Sequence, residues 1–65
     1  MKVFLNGEAL EFDGATLAEA LAAAGYGEAR VATAVNEEFV PAGARAATPL
    51  SPGDRIEVVT ARQGG

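Results

Sequence analysis

The most specific chemistry in this sequence lies in its last four residues, Arg62-Gln63-Gly64-Gly65. The α-carboxylate of Gly65 is an acyl group but a poor electrophile, so a nucleophile can attack it only after activation. An enzyme that joins it to AMP must admit the chain end to a narrow site beside the nucleotide. Two residues without Cβ allow the backbone to come close there and to take unusual φ, ψ values. A sulfur nucleophile attacking the acyl-adenylate then converts the carboxylate to a thiocarboxylate. In that scheme Gly65 bears the transferred group, Gly64 gives access, and a partner supplies the catalysis. The segment has no apolar anchor, so residues 62–65 read as a flexible tail on a domain spanning 1–61. The plainer alternative is a frayed end without function. Arg62 either meets an acidic groove on a partner or is simply solvated.

Other charged residues carry less. Glu37-Glu38 falls in a polar turn, which suits a solvated pair better than an acid/base dyad. Asp13 and Asp54 neighbour glycines in turns, where Asp is favoured for local hydrogen bonds. No glycine spacing matches a phosphate-binding loop. The chain contains neither Cys nor His, so it lacks the usual zinc ligands and the commonest general base near neutral pH. A domain of 65 residues buries only about 60 % of its unfolded surface, which leaves little room for a deep pocket. The expectation is therefore a protein acted on by enzymes, with no bound cofactor or metal. Five basic against nine acidic residues give a net charge of −4. That balance opposes binding to nucleic acid or an anionic membrane and suits a partner with a basic docking surface. No stretch approaches the roughly 18 apolar residues of a membrane span. The opening run Met1–Leu5 is too short for a signal peptide, so a cytoplasmic protein is expected.

The elements that must position the tail are legible in outline. Asn6-Gly7 is a favoured type I′ turn dipeptide. A two-residue loop sets Leu5 opposite Glu8, Val3 opposite Leu10 and Met1 opposite Phe12, which puts all the apolar members but Phe4 on one face. Thr16 with Glu19 reads as a capping box, followed by an apolar stripe of Leu17, Ala20, Leu21 and Ala24 and a C-cap at Gly25. Val31–Val35 alternates as a half-buried strand. Asn36-Glu37-Glu38 is expected to turn, and Phe39-Val40 resumes before Pro41 stops the ladder. Residues 42–49 read as irregular, with Leu50 plugging the core. After the Pro52-Gly53-Asp54 turn, Arg55–Thr60 forms the last strand. The sum is an α+β roll in β-β-α-β-β order: a mixed sheet with one short helix on one face. With the first and last strands adjacent and parallel, this is the ubiquitin-like β-grasp arrangement. Phe4 and Val59 then share the uncovered face, near Ala34, as a candidate docking patch beside the strand that leads into the tail.

The chain resembles the ThiS family of thiamine-biosynthesis sulfur carriers over nearly its whole length. The residues that carry the resemblance are Asn6-Gly7, Thr16–Leu21, the Val35-Asn36-Glu37 and Val40-Pro41 pairing, Pro49–Val59 and the closing Gln63-Gly64-Gly65. The resemblance implies a β-grasp protein whose Gly65 is adenylated by an E1-like activating enzyme (adenylyltransferase) using ATP. It further implies a Gly65 thiocarboxylate, with sulfur drawn from cysteine by a desulfurase and passed to thiazole synthase. Carriers for tRNA thiolation or molybdopterin synthesis share this mechanism and are the nearest alternatives. A ubiquitin-like modifier and a β-grasp interaction module with an incidental tail are more distant ones.

Overall fold

A computed structural model describes residues 1–27 and 30–60 of the chain. Strands β1 (Lys2–Leu5) and β2 (Glu8–Glu11) form the opening hairpin, in the register set by its turn: Leu5 pairs with Glu8 and Val3 with Leu10. Asn6 and Gly7 both have positive φ, 52° and 85°, as a type I′ turn requires. The pairing continues past the strands, since the Phe12 N–H donates to the Met1 carbonyl at 3.1 Å.

Helix α1 (Leu17–Ala23) starts at the expected capping box. The Glu19 N–H donates to Thr16 Oγ1, and the Glu19 carboxylate accepts from the Ala15 and Thr16 N–H groups at 2.7 and 3.1 Å. At the other end, Tyr26 N–H donates to Leu21 O and Gly25 N–H to Ala22 O, which is a Schellman closure with Gly25 at φ 94°. Leu17, Ala20 and Leu21 are buried, while Ala24 is the half-buried C-cap. Seven residues cannot hold a helix in water by themselves. Here Leu17 N–H donates to Thr48 O and Leu50 N–H to Ala15 O, which ties the helix start to the segment carrying Leu50. That tie delivers Leu50 into the core, as expected.

The sheet is completed by β3 (Val31–Val35), β4 (Glu38–Val40) and β5 (Arg55–Thr60), in the order β2-β1-β5-β3-β4. β1 and β5 are parallel neighbours at the centre, and the remaining pairs are antiparallel. The short Phe39-Val40 run is part of a strand of its own, β4, so the chain has five strands in the order β-β-α-β-β-β, one more than the expected β-β-α-β-β. Two local expectations are corrected. Glu38 belongs to β4 and pairs with Val35, so the turn is Asn36-Glu37 alone, with both residues at positive φ. Residues 42–49 are largely ordered as a 3₁₀ helix, Ala42–Ala47. Its order comes from tertiary bonds: Arg45 Nε donates to Thr33 Oγ1 at 3.0 Å and Nη2 to Val31 O at 2.6 Å.

Val3, Phe12, Val40, Ile56 and Val58 meet the helix residues and Leu50 in a single core on one side of the sheet. Thr33 is the one buried polar residue among the described residues, and its hydroxyl donates to Val40 O at 2.9 Å. Burying a hydroxyl without a partner is costly, so this bond is what makes Thr33 tolerable there. The other side of the sheet carries no helix among the described residues.

Candidate functional site

Residues 61–65 follow Thr60 and lie outside the described residues, and with them Arg62, Gly64 and Gly65. What the structure does describe is the strand that leads to them and the sheet face beside it. β5 lies at the centre of the sheet, and its alternation turns Ile56 and Val58 into the core and Arg55, Glu57 and Val59 outward.

Directly paired residues share a face, so the register maps the outer surface. Phe4 pairs with Arg55, Glu57 with Ala34, Ala34 with Phe39, and Val59 with Ala32. Phe4, Val59 and Ala34 therefore stand on one face, as the sequence pattern predicts. Phe4 is half-buried and Val59 is 63 % exposed. Both line one concavity of about 520 Å³, together with Asn6, Gly7, Glu37, Arg55 and Glu57. The exposure of Val59 means that this hollow opens to solvent on the sheet surface. Ala34 lies in the adjoining row, outside the hollow's lining.

Phe39 is a residue that sequence reasoning missed. It is 69 % exposed, the most exposed large apolar residue described, and it extends the same face onto edge strand β4. The signal was present: with Val40 needed inside before Pro41, the period of two sends Phe39 outward. Scattered apolar residues on a surface are ordinary. Three of them, drawn from β1, β5 and β4 onto one face, form an apolar surface with charged residues interspersed. Glu57 and Arg55 project from β5 between Phe4 and the β3–β4 side, so the face carries both apolar and ionic groups.

The end of β5 is held on both flanks. β3 pairs with it as far as Thr60, opposite Val31. On the β1 side, the Asn6 carboxamide accepts from Val58 N–H at 2.9 Å and donates to Val58 O at 3.2 Å. At the strand's start, Asn36 Oδ1 accepts from Arg55 N–H at 3.0 Å and Nδ2 donates to Asp54 Oδ1 at 3.1 Å. Two turn asparagines thus brace the strand that bears the tail.

Among the described residues no three acidic side chains gather as a metal site, and no helix is long and apolar enough to cross a membrane. The Glu19 carboxyl is held below its ordinary value, first by the Ala15 N–H and then by the Thr16 N–H. That group belongs to the helix cap.

The model of the ThiS family matches residues 3–65 of the chain. Among solved structures, the crystal structure of a thiamine biosynthesis protein (ThiS) from Geobacter metallireducens is 30 % identical, covers 100 % of both chains and superposes with a TM-score of 0.80. Comparison with curated proteins finds no match. The mixed sheet with its short helix is thus the β-grasp arrangement of that neighbour.

Proposed function

The chain belongs to the ThiS family, and we propose that it is a sulfur carrier of thiamine biosynthesis whose working group is the Gly65 carboxylate. The observation that carries this reading is the reach of the family match. It runs to residue 65 and so takes in Gly64-Gly65 together with the folded domain. The full-length similarity to a thiamine biosynthesis protein supports the pathway.

In the proposed sequence, a Gly65 carboxylate oxygen attacks the α-phosphorus of ATP on an E1-like adenylyltransferase. Pyrophosphate leaves and an acyl-adenylate forms. A persulfide, charged from cysteine by a desulfurase, attacks the acyl carbon and AMP leaves with the bridging oxygen. A second thiol then cleaves the acyl disulfide, releasing the thiocarboxylate and leaving a disulfide on the donor side. The resulting thiocarboxylate is a better nucleophile than the carboxylate, and it passes its sulfur to thiazole synthase. Gly64 lets the chain end enter the nucleotide site because it brings no Cβ. Phe4 and Val59 dock the carrier on its partner through the outer sheet face, and Arg62 adds a cationic contact nearer the end. Catalysis resides in the partners, consistent with a chain that contains neither Cys nor His.

Pyrophosphate exchange into ATP by the activating enzyme measures the first step. The parent chain stimulates the exchange, and a chain lacking Gly65 does not. Exchange undiminished by that deletion would overturn the reading.

A further inference from the structure

Asn6 does more than its turn requires. A type I′ turn accepts Asn, Asp or Gly at this position, so the turn alone does not call for a carboxamide. The Asn6 backbone N–H donates to Ile56 O at 2.8 Å, continuing the ladder between β1 and β5. One step further along β5, where β1 has already turned away, the Asn6 side chain takes over. Its Oδ1 accepts from Val58 N–H and its Nδ2 donates to Val58 O, as a strand's peptide group does. The carboxamide extends the parallel ladder beyond the end of β1, two residues short of Thr60.

We propose that Asn6 is a positioning residue for acyl transfer at Gly65. This inference rests on the carrier reading above. Phe4 stands on β1 and Val59 on β5, and the expected tail begins at Arg62, two residues after Thr60. Asn6 fastens the end of β5 to the end of β1, so the docking residues and the root of the tail move as one body. Contact at the outer face then fixes where β5 ends, the point from which the remaining residues must reach the partner's site. Reaction rates are sensitive to such placement: a misplacement of about 1 Å costs up to about 100-fold. Asn6 also lines the hollow beside Phe4 and Val59, so loss of the carboxamide touches docking as well, but its larger effect falls on kcat.

The test compares thiocarboxylate formation by the parent chain, Asn6→Gly and Asn6→Asp with the same activating enzyme. Asn6→Gly keeps a turn-compatible Gly-Gly, and Asn6→Asp keeps the acceptor for Val58 N–H but loses the donor. The expected result for Asn6→Gly is a fall in kcat of about tenfold, larger than any rise in KM from the altered hollow. Its Val58 amide loses protection from hydrogen exchange, and Asn6→Asp falls between the two. Thr16→Ala, which weakens the helix cap, serves as a control for stability and keeps its kcat. An Asn6→Gly kcat equal to the parent's, a loss confined to KM, or an equal kcat loss in Thr16→Ala would each overturn the inference. A parent chain that is not activated at all overturns the carrier reading instead, and this inference falls with it.

Discussion

Glu37 sits at φ 74° in the second position of the β3–β4 turn, a backbone state in which a Cβ crowds the following carbonyl. Glycine is free of that crowding, so Glu37→Gly is expected to stabilise the fold by about 0.5–1 kcal/mol, net of the entropy that glycine loses on folding. Thermal unfolding checks this as a Tm rise of a few degrees. Gly14 shows the opposite constraint. A Cβ there would lie 2.9 Å from both Glu19 Cβ and Oε1 and 3.0 Å from the Phe12 ring. Gly14→Ala therefore disturbs the capping box and a core aromatic together, and a loss of about 1–3 kcal/mol is expected in urea unfolding. Glu19 itself gives a pH signature. The Ala15 and Thr16 N–H groups hold its pKa below the ordinary carboxylate value. Its contribution is complete above the unfolded-state pKa and disappears as pH falls through the lower folded one. Tm should drop across that acidic window in the parent, and the drop should be shallower in Glu19→Gln. Asn6 was legible as a turn residue from its Asn-Gly dipeptide, but its bond to Val58 was not, because that partner is 52 residues away.

The helix shows why some elements can be read locally and others cannot. Thr16, Glu19 and Gly25 mark both ends of α1 within ten residues, and each makes the local bond its type suggests. The apolar stripe then places Leu21, 3 % exposed, in the core. Leu21→Ala is expected to cost ~2–5 kcal/mol, comparable to all the stability a domain of this size commonly has. A variant with the parent's denaturation midpoint would contradict that packing. The 3₁₀ helix was hidden for the converse reason. Its Ala- and Gly-rich stretch has little local pattern, and its order depends on Arg45 reaching Thr33 and Val31 O on β3. The Glu38 boundary escaped because an Asn-Glu turn with two left-handed residues is rare outside Gly-containing pairs. The mixed sheet with parallel first and last strands was legible from the period of two in the strands, while the separate β4 strand and the outward Phe39 were not.

At the scale of the whole molecule, the fold separates its two sides. One face of the sheet is spent on a thin core, and the other presents Phe4, Val59 and Phe39 beside the strand that leads to the tail. Phe4→Ala and Val59→Ala remove no member of the buried core, so both variants should fold. In the proposed role each should raise the KM for activation, by about 5–30-fold if it forms part of the buried centre of the docked surface. Unchanged kinetics would remove that face from the account. The candidate docking face was legible because turn chemistry and strand alternation fix which side chains face outward. The roles of Gly64 and Gly65 rest on the sequence and the family match, since both lie outside the described residues. The most direct test of the central claim is the intact mass of the chain after incubation with ATP, cysteine, a cysteine desulfurase, a thiol reductant and the activating enzyme. The carrier reading predicts a gain equal to one sulfur less one oxygen, absent when Gly65 is deleted. An unchanged mass with a partner set that thiolates another carrier would contradict it.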